Sequence, residues 1–223
     1  MKEKKLPSWI QNETLRQLLR SRLGVVLSYW IFQGVLYADY REILLKCLID
    51  GALTFLLAAI LDVPFYLSLI AAHTLNMVFN GHVIAMRRHM GLGANNPAKF
   101  IAYIEKFDER VRSKPYIRAV AAFGSLTRGS YRPTSDIDVR IVPKEGQVSF
   151  CRACLFALTE RTRAILSGFP LDLYVFSEAE LKNKMNPAET PMVFHDPQGW
   201  LKQSYKNVVS AAQIIASFKR KYV

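Results

Sequence analysis

Cysteine is scarce in this chain of 223 residues, and its few copies follow no paired pattern. The three cysteines are Cys47, Cys151 and Cys154. So small a number excludes a disulfide-stapled secreted scaffold and fits a reducing compartment. Cys151 and Cys154 have the spacing C-x-x-C, but no second ligand pair accompanies them. We therefore interpret both as helix core rather than as a zinc site.

Acidic residues are also few. The chain has 18 Asp and Glu against 30 Lys and Arg, which gives a formal net charge of +12. This excess predicts an anionic partner: a nucleotide, a nucleic acid or an acidic membrane surface. Residues 1–22 are polar and basic and lack the short apolar region and cleavage site of a secretory signal. Residues 12–22 predict a basic helix, which is either solvated or lies on anionic lipid with the help of Trp9, Ile10 and Leu15.

Long apolar runs are confined to the first 90 residues. The run over 23–38 is too short to cross a bilayer. Residues 43–61 and 63–86 are each near or above the roughly 30 Å of hydrocarbon at about 1.5 Å rise per residue. A turn at Asp62 separates them. We predict a transmembrane helical hairpin with its Lys and Arg flanks on the cytoplasmic side and Asp62 on the far side.

A soluble helical bundle is the alternative for this region, because polar side chains within a span are costly. The polar side chains are Asp50, His73, Asn76, Asn80 and His82. In a hairpin that turns at residue 62, Asp50 falls opposite Asn76, and we expect these two groups to satisfy each other. That pairing favours the membrane interpretation.

A glycine- and asparagine-rich joint at residues 90–96 predicts two domains, a helical region over 1–90 and an α/β domain over 91–223. Within the second domain the apolar periodicity predicts helices and strands in alternation. The predicted helices are 97–113, 148–166 and 204–221, and the predicted strands are 120–123, 136–142 and 170–176, with a short strand and turn at 193–201. The arginines of the second helix, Arg152, Arg161 and Arg163, are expected to be solvated.

Two aspartates begin the second of these strands. The alternation of Asp136-Ile137-Asp138-Val139 places both carboxylates on one face and the apolar side chains on the other. Two carboxylates side by side repel each other, and a divalent cation removes that cost. Mg²⁺ fits best, since it takes one or two carboxylates and leaves sites for phosphate oxygens.

The break after the first strand supplies groups suited to phosphate. Gly124 allows close approach of the backbone and a positive φ. Ser125 offers a hydroxyl and begins a segment with free N–H groups. Arg128 adds a fixed positive charge.

The order Gly124-Ser125, ten residues, then Asp136-x-Asp138 resembles the signature of the polymerase-β-like nucleotidyltransferase superfamily, in its minimal and aminoglycoside-type branches. The flanking Phe123, Arg128-Gly129 and Ser135 agree with that pattern. The resemblance covers only residues 91–223. It implies a small mixed sheet with flanking helices, an NTP substrate, and Mg²⁺ or Mn²⁺ as cofactor.

The resemblance also implies roles for particular residues. Nucleotide binding would fall to Gly124, Ser125, Arg128 and Ser135. Asp136 and Asp138 would carry the metal. Asp172, on the strand over 170–176, resembles the family's third carboxylate, which accepts the proton of the acceptor hydroxyl or holds a second metal ion.

We therefore expect a Mg²⁺-dependent nucleotidyltransferase that moves an NMP to an acceptor at the cytoplasmic membrane face, such as a lipid headgroup or a lipid-linked group. A soluble transferase that modifies a protein or a small molecule, antitoxin-like or aminoglycoside-like, stays open. So does an inactive nucleotide-binding module. Nucleic acid is not expected as a partner, because the chain has no base-stacking module.

Overall fold

The computed structural model describes residues 11–35 and 37–223. The predicted lipid contacts Trp9 and Ile10 lie outside this range. The first part of the described chain is helical: α1 Glu13–Arg20, α2 Arg22–Phe32, α3 Tyr40–Leu61, α4 Phe65–Phe79 and α5 His82–His89. The remaining elements are α6 Pro97–Arg112, β1 Ile117–Phe123, β2 Ile137–Pro143, α7 Gln147–Leu166, β3 Leu171–Val175, α8 Glu178–Lys184, β4 Met192–His195, α9 Trp200–Ser204, β5 Val209–Ser210 and α10 Ala211–Tyr222.

The strands form one mixed sheet in the order β3-β2-β1-β4-β5. β1 pairs antiparallel with β2 and β4, whereas β2 and β3 are parallel, as are β4 and β5. The helix α7 makes the crossover between the parallel strands β2 and β3, as such a connection requires. The predicted α/β class and mixed sheet are confirmed.

The alternation expected in β2 is also confirmed. Ile137, Val139 and Ile141 are buried and pack in a core with residues of α6, α7 and α10. Asp138 and Arg140 lie on the other face, where Phe123 and Tyr174 belong to a second, smaller cluster. The sheet therefore presents its polar positions on the face opposite the main core.

One of the described helices, α3, is long and apolar enough to cross a membrane. Its 22 residues span about 33 Å. Only 11% of its most apolar window is buried. Its large apolar side chains are exposed along its length, among them Leu48, Phe55 and Ile60. α3 and α4 pack against each other as the predicted hairpin.

The second leg of the hairpin is not one straight helix over 63–86. It is divided into α4 and α5, whose axes differ by 69°. Gly81 lies between them at φ +81, a conformation that a side chain would strain. The side chain of Asn80 donates to the backbone oxygen of Asn76 at 2.9 Å and ends α4. The two helices make a second span only if the bent pair is counted as one.

The predicted pairing of Asp50 with Asn76 is wrong. Asp50 contacts His73, with 2.8 Å between Oδ2 and Nδ1, one helical turn closer to the tip of the hairpin. The amide of Asn76 instead donates to the backbone oxygen of Lys46 at 3.3 Å. Asp50 and Asn76 thus each have a hydrogen-bond partner within the hairpin, but they do not pair with each other.

Three further expectations differ from the structure. Arg161 is buried at 3% exposure and not solvated, whereas Arg152 and Arg163 are exposed as expected. The last helix begins at Ala211 rather than at 204, because α9 and β5 occupy the intervening segment. Of the two cysteines in α7, Cys154 is buried as predicted and Cys151 is exposed.

Candidate active site

The turn after β1 brings Gly124 into direct contact with an aspartate of β2. Gly124 has φ +97, and a Cβ added there would lie 2.9 Å from Oδ2 of Asp138. Phe123, the residue before it, pairs with Asp138 across the two strands. The glycine therefore lets the turn lie directly against the carboxylate, whereas a side chain there would be strained by the positive φ and would displace the carboxylate of Asp138.

Two serines join this turn to the loop that leads into β2. The Oγ of Ser125 donates to the Oγ of Ser135 at 3.1 Å, and Ser135 Oγ accepts the backbone N–H of Arg132 at 3.0 Å. Ser135 is buried. The segment after Ser125 consists of turns rather than a helix. The hydrogen bonds hold the predicted phosphate turn beside the residue that precedes Asp136.

Residues before α6 fix the same loop from the other side. Asn95 accepts a hydrogen bond from Arg88 and donates its side-chain amide to the backbone oxygen of Ser135 at 2.6 Å. The backbone N–H of Asn95 donates to Pro133 at 2.6 Å. Arg88 belongs to α5, so the N-terminal helices contribute to the placement of Asp136.

The carboxylates predicted from the sequence lie together on one face of the sheet. Asp138 and Asp172 are register partners across the parallel pair β2 and β3, and Asp136 directly precedes β2. Burial, together with the neighbouring carboxylates of Asp172 and Asp136, raises the pKa of Asp138 to about 7. The ionised form of Asp138 is thus disfavoured unless a positive charge comes to the site.

Arg140 is a neighbour of these carboxylates that the sequence analysis did not single out. Its Nη2 lies 3.5 Å from Oδ2 of Asp172, and its Nη1 donates to the backbone oxygen of Asp172 at 3.1 Å. It also lies over the rings of Tyr174 and Phe176. The alternation of β2 carried the signal, since Arg140 follows Asp136 and Asp138 at the same period of two.

Tyr29 of α2 is a second neighbour of the site, and no sequence pattern pointed to it. Burial raises the pKa of Tyr29 to about 12, and the nearby Asp172 and Asp136 carboxylates contribute to the shift. The helix α2 therefore borders the carboxylate face of the sheet.

Arg128 lies on the exposed part of the turn, where its charged partner is Glu189. Its Nη1 is 3.8 Å from Oε1 of Glu189, and more than half of its side chain is exposed. An exposed pair at that distance contributes little free energy. Arg128 is thus able to exchange Glu189 for an anionic ligand.

The donor chemistry of the site fits a divalent cation. Its carboxylates are the hard oxygen ligands that Mg²⁺ takes, and their mutual repulsion is what a cation would relieve. In the described part of the chain, no three His, Cys, Asp or Glu side chains are grouped closely enough to hold a metal ion. Such a grouping is not required, since Mg²⁺ commonly binds one or two carboxylates together with substrate phosphates.

A cavity of about 540 Å³ lies elsewhere on this face of the sheet, between α8 and α9. Trp200, Arg118 and Tyr205 are among its lining residues, and none of the three aspartates is. Tyr205 contacts the ring of Phe123, with 5.8 Å between the centroids, so one end of the cavity approaches the Gly124 turn.

Comparison with known proteins agrees with this geometry. Residues 104–189 match the family model described as a nucleotidyltransferase domain. No curated protein and no solved structure matches the chain. The matched range begins in α6 and ends after α8, so it contains the Gly124 turn and all three aspartates. Residues 104–189 are therefore a nucleotidyltransferase domain, consistent with the polymerase-β-like type.

Proposed function

We propose that this protein transfers a nucleoside monophosphate from an NTP to a hydroxyl group of an acceptor at the membrane surface. One observation carries the transferase part: the range that matches the family model contains Asp138 and Asp172 in register, with the Gly124 turn against Asp138. In the reaction, the acceptor oxygen forms a bond to the α-phosphorus. The bond from that phosphorus to the bridging oxygen breaks, and pyrophosphate leaves.

The residues of the site have separate tasks in this proposal. The turn over Gly124 and Ser125 receives the β- and γ-phosphates, and Arg128 leaves Glu189 to add its positive charge. Asp136 and Asp138 provide the metal-binding oxygens. Bound Mg²⁺ would offset the negative charge of the phosphates and of the carboxylates around them.

Asp172 accepts the proton of the acceptor hydroxyl. It lies beside Asp138 and is held by Arg140 on its backbone oxygen and on its carboxylate. Arg140 fixes the direction of the carboxylate and so positions the base. The side chain of Asp172 is 35% exposed, so an acceptor hydroxyl can reach its carboxylate from solvent.

The membrane part of the proposal rests on the hairpin of α3 and α4. Both helices expose large apolar side chains. α3 begins and α4 ends at the side of the hairpin that contacts the α/β part of the chain. Basic residues flank it there, including Arg41 and Arg87. We assign the domain to the cytoplasmic face and the acceptor to lipid or to a lipid-linked group, because a tethered transferase meets such acceptors at high local concentration.

The test is a transfer assay with the full chain in detergent micelles. Each of the four labelled NTPs is incubated with Mg²⁺ and with total lipid extract, a protein extract or neither. Label in the lipid fraction with one preferred NTP supports the proposal. Label in protein or in a small soluble product instead would show that the acceptor is not lipid, while the transferase part of the proposal would stand. Absence of label with every NTP, for a protein that binds none of them, would refute the transferase assignment.

A further inference from the structure

The outer edge of β3 is the point where the N-terminal helices join the candidate site. β3 is an edge strand that pairs only with β2 among the described strands. Its inward hydrogen bonds go to β2. Val175 and Leu173 therefore direct a backbone N–H and a backbone oxygen outward, and such groups need partners when they are buried.

Two charged side chains supply these partners. Glu42 of α3 accepts the N–H of Val175 at 3.0 Å. Arg161 of α7 donates its Nε to the oxygen of Leu173 at 3.0 Å. Glu42 and Arg161 also pair with each other, with 2.6 Å between Oε1 and Nη2. The edge of the strand is thus closed by side chains instead of by another strand.

This pair lies in the protein interior and has further partners. Glu42 and Arg161 are only 2% and 3% exposed. Arg161 donates to Oδ1 of Asn80 at 2.9 Å, and Lys46 lies 3.3 Å from Glu42 and donates to the backbone oxygen of Gln33. A buried charged pair is poor evidence for stability, because desolvation offsets its attraction, but its geometry is specific.

The sealed strand is the one that carries Asp172. Asp172 lies between Leu171 and Leu173 in a strand of five residues, so the outward bonds act within one to three residues of its carboxylate. Its position also depends on the register with Asp138. In a transfer reaction, a displacement of about 1 Å at a reacting group can lower the rate about 100-fold.

We infer that Glu42 and Arg161 are positioning residues, which hold β3 and thereby aim Asp172 at the acceptor. The inference rests on the proposed function. It gives the hairpin a second task, since α3 carries both the exposed apolar surface and the glutamate that completes the catalytic sheet. The N-terminal helices are then a working part of the transfer site and not only its attachment to a membrane.

The experiment compares Glu42→Gln with Glu160→Gln in the full chain. Glu160 lies next to Arg161 in α7, is fully buried and is paired with Arg110 at 2.7 Å, and within residues 11–35 and 37–223 its carboxylate forms no hydrogen bond to β3. Both variants thus break a buried charged pair. Three quantities are measured: hydrogen exchange of peptides covering β3, NTP affinity, and single-turnover transfer rate per folded protein.

For Glu42→Gln we expect faster exchange in β3 and a transfer rate lowered about 10- to 100-fold, with NTP affinity nearly unchanged. For Glu160→Gln we expect lower global stability without either effect. Arg161→Lys keeps the positive charge but loses the simultaneous contact with Leu173 and Glu42, so it should behave like Glu42→Gln. Arg161→Lys serves as the test variant if Glu42→Gln does not fold. Equal effects of Glu42→Gln and Glu160→Gln, or unchanged β3 exchange, would overturn the inference.

The two proposals fail in different ways. If the wild-type chain transfers no nucleotide, the proposed function is wrong, and the exchange comparison still decides whether Glu42 holds the edge of β3. If Asp138→Asn abolishes transfer while Glu42→Gln and Arg161→Lys leave it intact, the transferase stands and the positioning role is refuted.

Discussion

Asp138 combines three circumstances that each disfavour its charge in the folded protein: burial, the carboxylate of Asp172 and the carboxylate of Asp136. Removing that charge should therefore not weaken the fold. We expect Asp138→Asn to leave the thermal midpoint of the metal-free protein unchanged or higher, and to lower transfer by a factor on the order of 100 or more. Thermal unfolding and single-turnover assays measure the two effects.

Asp196 provides the opposite control. Its carboxylate caps α9 by accepting the N–H groups of Trp200 and Leu201, each at 2.8 Å. Asp196→Asn keeps one acceptor oxygen and loses the other, so it should cost about 1 kcal/mol of stability for the lost hydrogen bond and leave the rate per folded molecule unchanged. A large loss of stability in Asp138→Asn, or near-normal turnover, would contradict the assignment of Asp138 to metal and phosphate.

Alanine substitutions at Gly124 and Gly129 can separate the effect of backbone strain from the effect of contact with the carboxylate of Asp138. Both have positive φ, but a Cβ at Gly124 meets Asp138 at 2.9 Å, whereas a Cβ at Gly129 meets nothing within 4 Å. Both alanine variants should lose about 1 to 3 kcal/mol of stability. Only Gly124→Ala should also lower NTP affinity and turnover per folded protein. Similar kinetics in the two variants would mean that the turn is not the phosphate site.

The sequence was sufficient to predict the aspartates that the structure brings together, because period-two alternation is a local property. It placed Asp136 and Asp138 on one face of β2 and Asp172 on a later strand. Arg140 obeyed the same alternation and could have been found. Tyr29 could not, because only the packing of α2 brings it to the carboxylates, and no local pattern encodes that contact.

The hairpin of α3 and α4 is the element whose surface argues most directly for a membrane. Phe55 of α3 is 69% exposed, and Leu166 at the end of α7 is 83% exposed. We expect Phe55→Glu to weaken binding to lipid vesicles on the order of 100-fold, since a charge at the centre of a membrane helix costs about 3 kcal/mol. Leu166→Glu should have no such effect. Vesicle co-sedimentation measures both.

Transfer to a water-soluble test acceptor should survive in Phe55→Glu, because Phe55 lies outside the residues that seal β3. Equal sedimentation of Phe55→Glu and the wild type would show that the hairpin does not enter the bilayer, and would favour the soluble helical bundle.

Element boundaries that depend on long-range contacts were the least predictable from sequence. The helix over 97–113 was found almost to its ends, because Asn96 and Pro97 form a local start signal. The break at Gly81 was not, since an isolated glycine in an apolar run is often tolerated. The burial of Arg161 was not predicted, because its partners Glu42 and Asn80 are distant from it in the sequence.

At the scale of the whole molecule, the joint at residues 90–96 connects two parts that share many contacts. The proposed division into 1–90 and 91–223 stays a prediction. Hydrogen bonds cross it at both ends of the site: Arg88 donates to Asn95, which in turn holds the loop before Asp136, and Val175 of β3 donates to Glu42. The family match begins after the joint, yet parts of the site depend on helices that precede it.

The orientation of the whole molecule can be tested by labelling single cysteines. The background is Cys47→Ser with Cys151→Ser, which removes the two exposed thiols. Cys154 stays, because burial raises the pKa of its thiol and leaves it unreactive. Val63→Cys then marks the tip of the hairpin, and Glu145→Cys marks an exposed site on the sheet domain.

In sealed vesicles whose cytoplasmic face is outward, a membrane-impermeant maleimide should label Glu145→Cys and not Val63→Cys. The reason is length: from Lys46, which is buried at the base, to Leu61 α3 rises about 23 Å, so that the tip comes to lie near the far headgroups. In vesicles of the opposite orientation, the pattern should reverse if the tip reaches the far surface, and both sites should be protected if it stops within the bilayer. Labelling of both sites from the cytoplasmic face would place the hairpin in water and refute the membrane orientation.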